Sequence, residues 1–347
     1  MGAVNHLCLF GDANHVHLRR WAEAMRARGW RVSVVTARPQ PLDGVEQLVL
    51  PPVASSRDWL FRVGAARRAV ATLKPDLLHA HYITSYGFLA ARCRQRPLVL
   101  TAWGSDLLVT PFESRLKRWL TGWTLRQAQA ITGDSADLVE AARAYRPAAE
   151  LLELHWGVEL QRFRPAPWAD KPGFELVSLR SWSANYRIDI ILRAVARLPQ
   201  ARLHLLGGGP DEAPLRALAA ELGIAGRVVF HGRLDDAGMA AVMARCKIAV
   251  SVPASDATSV SLLESMACGL AVIASDLPAN RQWLPTDCLV PVGSVDALAA
   301  ALARLADDDA ACAAHARANA ERMQRDGSRD AQMDRADALY RRLLARS

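Results

Sequence analysis

The chain predicts an α/β protein of two Rossmann-like, doubly wound parallel-sheet domains. Three observations lead there. The sequence has 347 residues, 51% of them hydrophobic, which is material for about two domains with a core each. Short apolar runs alternate with amphipathic helical stretches through both halves, the mark of successive βαβ units. Between the halves, HWGVELQRFRPAPWADKPG (155–173) is rich in Pro and Gly and interrupts the alternation, so it reads as a linker.

The elements follow in order. VNHLCLF (4–10) is a short apolar strand that GDAN breaks. HVHLRRWAEAMRAR has helical periodicity, with Val16, Trp21 and Met25 on one face, and Gly29 is a natural stop. RVSVVT (31–36) completes a βαβ unit. Strands DLLHAHY (76–82) and PLVLTAWGSD (97–106) come next, then a helix from about Glu113 to Ala130 and a strand and turn at ITGDS (131–135). Beyond the linker, FELVSLR, ARLHLLGGGP, RVVFHGR, CKIAVSV, LAVIASD and CLVPVG are strands, with helices near 188–198 and 214–222. From about Ser328 the sequence is charged and helical. The predicted domains are 1–165, joined by a C-terminal helix at 329–347 that returns to it, and 166–328.

Composition narrows the function classes. The start lacks the basic n-region of a secretory signal and lacks Ser or Thr at position 6, so neither export nor myristoylation is expected. No apolar stretch approaches the ~20 residues of a membrane span. The six cysteines (Cys8, Cys93, Cys246, Cys268, Cys288, Cys312) show no metal-ligand spacing and read as reduced core residues of a cytoplasmic protein. A net charge of +8 fits either an anionic partner or an Arg-rich composition.

One stretch concentrates chemistry. SDATSVSLLESMACG (255–269) lies after strand CKIAVSV, where ligands bind in such sheets, beyond the carboxyl ends of the strands. Ala257, Thr258 and Ser259 are small enough for an anion to approach, and the N–H groups starting the helix near Val260 and Ser261 favour a phosphate. Glu264 falls about one turn into an otherwise apolar helix, where a carboxylate is costly unless something pairs with it. A ribose diol supplies two suitable donors; Asp256, before the helix, suits sugar hydroxyls. Taken alone, Asp256 also reads as a capping acid and Glu264 as a surface residue.

The surrounding motifs resemble one family. SDATSVSLLESMACGLAVIASD is similar to the E-x7-E signature of retaining GT-B glycosyltransferases of family 4, with Asp256 in the first place. HWGVELQRFRP resembles that family's interdomain stretch, DLLHAHYITSYG and LVLTAWGSD its N-domain strand ends, and LHLLGGGPDEAPLRALAAELG its GxGP strand–helix unit. The resemblance covers nearly the whole chain in the expected order. It implies a GT-B fold, two Rossmann-like domains facing a cleft. It also implies sugar transfer, with retention, from a nucleoside diphosphate sugar, UDP-linked first, without metal or cofactor.

By the same resemblance Glu264 binds the nucleotide ribose, Asp256 contacts the donor sugar, and Ser259 and Val260 supply backbone donors to the diphosphate. His81 approaches the transferred sugar, Gly11 meets the donor phosphate, and Arg180 neutralises the diphosphate. Arg233 and Leu234 stand where the base edge is expected, and Asp12, Trp103 and Asp106 on the acceptor side. Three departures stand out. Asp256 is a methylene shorter than the usual Glu. The usual Lys after Arg180 is missing, with Asn185 or Tyr186 near its place and Arg187 close by. Trp103 stands where many relatives carry His.

Each residue also has a structural reading. His79 and His81 alternate faces of a strand, and His79 reads as a core histidine. Gly11 serves a turn, GGGP (207–210) a strand exit, DDD (307–309) a solvated loop, and Asp235 and Asp236 a helix start. ESRLKRWLTGWTLRQ (113–127) places Leu116, Trp119, Leu120 and Trp123 on one helical face edged by Arg115, Arg118 and Arg126, and RDWLFRVGAARR (57–68) is similar in kind. Such faces suit either the N-domain core or an anionic membrane surface, the second fitting a glycan or lipid-linked acceptor at the cytosolic face. The alternatives are a sugar-nucleotide epimerase on this plan and a non-catalytic nucleotide-sugar-binding subunit. A dinucleotide oxidoreductase lacks its fingerprint, and a nucleic-acid partner leaves the 255–269 motif unexplained.

Overall fold

The structure is a computed structural model that describes residues 4–346. The chain forms two compact units, 1–156 with 330–347, and 157–329.

The first unit holds seven parallel strands: β1 (His6–Phe10), β2 (Arg31–Thr36), β3 (Glu46–Val49), β4 (Leu77–His81), β5 (Leu98–Ala102), β6 (Ala130–Gly133) and β7 (Glu150–Glu153), in the order β3-β2-β1-β4-β5-β6-β7. Strands β1, β4 and β5 are buried along their whole length, which is why they read as unbroken apolar runs. The strand order turns at β1 and β4, and ligands of such sheets bind outside the strand ends at that switch point. Gly11 and His81 stand there.

The second unit holds β8 (Phe174–Ser178), β9 (Ala201–Leu206), β10 (Val228–Gly232), β11 (Ile248–Ser251), β12 (Ala271–Ser275) and β13 (Leu289–Val290), in the order β10-β9-β8-β11-β12-β13. Its switch point is the β8–β11 pair. Arg180 follows β8 and Asp256 follows β11, so the topology alone brings them together.

Several sequence expectations change. The sequence predicts a boundary at 165/166, but residues 157–165 belong to the second unit. Val158 and Phe163 are fully buried in its core, and Val158 exchanges backbone hydrogen bonds with Gly327 (2.8 Å) and Arg329 (2.9 Å). Helix Val16–Ala27 buries Leu18, Trp21, Ala22 and Met25 and leaves Val16 44% exposed, because Val16 is its first residue, directly after the His15 cap. Helix Arg115–Leu125 buries Thr121, Gly122, Thr124 and Leu125. The face divides: Leu120 and Trp123 pack partly buried against the core, while Leu116 and Trp119 stay 64% and 60% exposed. The DDD run is a helix junction: Asp308 caps a helix through Ala311 N (2.8 Å) and Asp309 ties Lys247 Nζ to Trp168 Nε1.

The C-terminal helix Arg329–Leu344 packs on the first unit. The Tyr340 hydroxyl lies 2.8 Å from Trp21 Nε1, which donates to it, and 2.6 Å from His79 Nδ1. Trp30 Nε1 donates to Asp337 at 2.6 Å. Among the described residues no helix is long and apolar enough to cross a membrane.

Candidate active site

In the second unit the loops after β8, β9 and β11 converge. Glycine makes this closeness feasible: a Cβ at Gly207 would stand 2.5 Å from the Arg180 carbonyl oxygen, and one at Gly209 2.1 Å from that of Trp182. Trp182 N donates to Gly208 O (3.1 Å) and Asp211 N to Trp182 O (3.1 Å), so the two loops are zipped by backbone. GGGP is therefore a close-packing element, in line with its structural reading.

Arg180, 8% exposed, is the hub. Its Nη2 donates to Asp256 Oδ2 at 2.5 Å, and its Nη1 to Ser259 Oγ and to Ser261 Oγ (3.0 Å). Its guanidinium lies over the Tyr186 ring, 4.4 Å from the centroid. Tyr186 thus acts as a plate that fixes the Arg180 guanidinium. The turn carrying it is held by Asn185 Nδ2 to Ser255 O (3.0 Å) and Ala254 N to Asn185 O (2.7 Å). Arg187 goes elsewhere: its Nε pairs with Asp189 Oδ1 at 3.3 Å.

Helix Val260–Ala267 begins at the Ser259 cap, whose Oγ accepts from Leu262 N at 3.3 Å. The first N–H groups of a helix have no partner inside it, so this end offers donors to an anion beside Arg180. Glu264 is 5% exposed on this helix, so the carboxylate inside the apolar run is indeed buried. Burial pushes the Asp256 carboxyl up and the Arg180 charge opposes the shift. Arg233 follows β10, its Nε 3.4 Å from where a Gly208 Cβ would stand, and Leu234 packs against Gly238. Sequence reasoning placed Ser261 only as a backbone donor and missed its hydroxyl as a partner of Arg180, since a hydroxyl in the first turn of a helix carries no distinct signal.

In the first unit, His81 closes β4 inside an aromatic shell. It is 1% exposed, with Trp21 at 5.1 Å, Trp103 at 5.9 Å and Trp156 at 6.1 Å between ring centroids. Trp156 stacks on His17 at 4.3 Å and Trp103 meets His15 edge-on at 4.3 Å. This shell draws Trp156 from the linker motif and the His15 and His17 rings from the first helix, none singled out from sequence. Trp103 Nε1 donates to His81 Nδ1 at 3.3 Å. A neutral imidazole accepting at Nδ1 carries its proton on Nε2. His81 Nε2 is buried without a hydrogen-bond partner. Burial, then the neighbouring His79 and His15 rings, hold its pKa well below the usual histidine range, so the ring is neutral.

His79 is a core histidine, bonded to Thr101 Oγ1 (2.6 Å) and Tyr340 and pushed down to about 3 by burial. Gly11 packs against the first helix, where a Cβ would meet Leu18 Cδ1 at 2.7 Å. Asp12 pairs with Arg38 at 3.1 Å. Asp106 is fully buried and accepts from Ile83 N (2.7 Å), Trp103 N (2.9 Å) and Gly104 N (3.0 Å), clamping the loops that follow β4 and β5. Burial raises its carboxyl to about 6 against those three bonds.

Among the described residues two groups of side chains have metal-ligand character, Glu175–His204–Cys246 and Asp287–Cys288–His315. The first is closed on itself. His204 bridges Glu175 (3.0 Å) and His231 (2.9 Å), and Arg245 pairs with Glu175, a cation standing where a metal would need none.

Comparison with known proteins agrees with this architecture. Residues 6–135 match the model "Glycosyl transferase 4-like" and residues 175–308 the model "Glycosyl transferases group 1". A phosphatidyl-myo-inositol mannosyltransferase of Mycolicibacterium smegmatis is 28% identical over 338 residues, covering 89% of this chain and 85% of its own. A D-inositol 3-phosphate glycosyltransferase of Mycobacterium leprae is 28% identical, covering 78% and 69%. Among solved structures, sucrose-phosphate synthase from Thermosynechococcus elongatus superposes with a TM-score of 0.84 at 21% identity, over 99% of this chain and 100% of that one. HepE of Anabaena, solved with UDP, gives 0.82 at 16% identity, over 98% and 100%. Two parallel sheets with their switch points, matched by this family's two models over residues 6–135 and 175–308, make the chain a member of the group 1, family 4-like glycosyltransferases with the GT-B fold.

Proposed function

We propose that the chain moves a hexosyl or N-acetylhexosaminyl residue from a nucleoside diphosphate sugar to a lipid-linked acceptor, with retention and without a metal ion. The observation that carries this is Arg180, held between Asp256, Ser259 and Ser261 at the mouth of a helix whose second turn buries Glu264. A diphosphate fits the guanidinium and helix N-terminus, and a ribose diol fits the carboxylate. UDP is the first candidate, since the similar HepE was solved with it.

In the step proposed, the bond from the anomeric carbon to the β-phosphate oxygen breaks and its electron pair stays on the phosphate. Arg180 and the helix N–H groups stabilise that charge as it develops. The acceptor hydroxyl forms the new bond on the same face, and its proton passes to the departing phosphate oxygen. His81, neutral and donating from Nε2, supplies a hydrogen bond to a sugar oxygen rather than acting as a base. Arg233 and Leu234 border the base, Gly11 the donor phosphates.

The lipid-linked acceptor is favoured by the relative named for phosphatidyl-myo-inositol and by the exposed apolar residues Leu116, Trp119, Phe112 and Phe61 among arginines. That surface suits peripheral contact with an anionic membrane at the cytosolic face. Flotation with anionic vesicles tests it: protein remaining in the soluble fraction at low salt rules the contact out.

The deciding experiment is calorimetric titration with UDP, GDP, ADP, CDP and NAD, on the wild type and on Glu264→Ala. One nucleoside diphosphate should bind, and the variant should lose it by roughly tenfold or more. Equal binding by both proteins ends the assignment of Glu264 to the ribose.

A further inference from the structure

The segment AARCRQRPL (90–98) carries Arg92, Arg94 and Arg96 at alternate positions, and no acid occurs in the sequence between Asp76 and Asp106. The transfer chemistry described above uses none of these three cations. The fold brings all of them to one cavity of about 390 Å³ in the first unit. Ala91, Gln95, Leu98, Trp123 and Gln127 complete its lining, and no acidic residue is among them.

Its place in the sheet separates it from the transfer site. Leu98 is the first residue of β5, so the cavity lies at the amino end of that strand. His81 closes the carboxyl end of the neighbouring β4, opposite Thr101. A five-residue parallel strand puts about 13 Å between its two ends.

The Arg92 guanidinium lies over the Trp123 ring, 5.5 Å from the centroid, and its Nε is buried without a hydrogen-bond partner. Arg180 over Tyr186 is the same device: an aromatic plate holds the guanidinium and leaves its edge for an oxyanion. The counter-ion is what differs. Arg180 has Asp256, whereas among the described residues no carboxylate pairs with Arg92, Arg94 or Arg96. Arg94 ends helix Phe88–Cys93 with φ of 59°, in a place that glycine normally takes. Helix carbonyls account for part of the positive charge. Helices Phe88–Cys93 and Arg115–Leu125 both end at this cavity, and each end is worth roughly half a negative charge. Together they offset about one of the three cations and leave about two unbalanced.

Unbalanced guanidinium forks around a small recess match the oxygens of a phosphate or diphosphate group. The recess is floored by Ala91 and Leu98, both buried, and its volume is that of a small-ligand cleft. None of the large exposed apolar residues lines it, so nothing there anchors a lipid chain. We propose that this cavity is a second anion site, which takes the phosphate or diphosphate end of a small soluble phosphorylated molecule, apart from the donor site at Arg180.

The test uses the full chain labelled with 5-fluorotryptophan, with the Trp123 19F signal assigned by Trp123→Phe. The probes are pyrophosphate and inorganic phosphate, with NaCl at matched ionic strength as control. Pyrophosphate should shift the Trp123 signal saturably and bind more tightly than phosphate. Arg94→Gln and Arg96→Gln should each weaken pyrophosphate about fivefold or more. Both side chains are exposed, so these variants stay folded where Arg92→Gln, which loses the Trp123 stack, fails. Arg180→Gln should lose the nucleoside diphosphate and keep the Trp123 response, so a failure at the donor site and a failure here are read separately. A Trp123 signal that NaCl moves as far as pyrophosphate does overturns the proposal. So does a signal unmoved by about 10 mM pyrophosphate, or an affinity that survives Arg94→Gln and Arg96→Gln together. Binding to phosphatidic acid vesicles that needs these arginines, while pyrophosphate leaves Trp123 unmoved, overturns the soluble ligand in favour of a lipid head group.

Discussion

At the scale of single residues, the site is governed by which partner holds each charged or titrating group. Asp256 is the counter-ion of Arg180 at 2.5 Å, with its side chain 22% exposed. A diphosphate has to share or displace it. Asp256→Asn removes the competing charge and should tighten nucleoside diphosphate binding by about five- to tenfold, near 1 kcal/mol, while turnover falls because the sugar hydroxyls lose a charged acceptor. The loss of turnover comes from replacing one of the two carboxylate acceptors by an NH2 donor, since the Asn carbonyl still accepts. Calorimetry beside a transfer assay checks both halves; weaker diphosphate binding would show that Asp256 positions Arg180 rather than competing for it. His81 gives a second residue-scale prediction. Its Nε2–H form is set by the indole N–H of Trp103, so Trp103→Phe should release the ring to the other tautomer. Imidazole 15N spectra of selectively labelled protein read the tautomer directly, and Trp103→Gln, which returns a donor, should restore it. A His81 signal unchanged in Trp103→Phe means the aromatic shell alone sets the ring.

At the scale of elements, the helix Val260–Ala267 combines stability with binding. Ser259 caps it through Leu262 N and also receives Arg180. Ser259→Ala should cost about 1 kcal/mol in urea unfolding and weaken diphosphate binding as well, since Arg180 loses an acceptor. A stability loss with unchanged diphosphate affinity would confine Ser259 to capping. This element was legible in the sequence because its periodicity, cap and stop agree. The switch-point strands were legible for a similar reason: burial on both faces leaves long apolar runs. The short edge strands were not. β3 reads EQLV and β7 reads ELLE, half-polar segments that owe their pairing to a neighbour already in place. Whether the face of Arg115–Leu125 is core or surface was not legible, because a helical wheel shows which residues share a side, not whether anything covers it; Leu120 and Trp123 are covered and Leu116 and Trp119 are not. Thr121, Gly122 and Thr124 are small enough for close approach to the core beside the buried Leu125.

At the scale of the whole molecule, the C-terminal helix closes the first unit by satisfying a buried polar chain: Trp21 to Tyr340 to His79 to Thr101 and on to Thr132. No spacing in the sequence announces it, since its members are as far as 319 positions apart. The chain makes a pH prediction whose sign is fixed by burial. His79 titrates near 3 in the folded protein against about 6.5 in the unfolded chain. Its folded pKa is depressed, so the unfolded state binds more protons below pH 6.5 and stability falls as pH drops from there towards 3. Between pH 7 and 5 this one ring should cost about 2 kcal/mol, and His81, shifted the same way, adds to it. Tyr340→Phe removes the hydroxyl between Trp21 and His79 and should cost a further 1–3 kcal/mol or so by leaving both buried groups unsatisfied. Urea unfolding of the full chain at pH 7 and pH 5, for wild type and Tyr340→Phe, measures both effects. A midpoint that does not move with pH would mean that His79 keeps its proton inside the fold, which the hydrogen bonds to two hydroxyls and the absence of a carboxylate partner in that chain argue against.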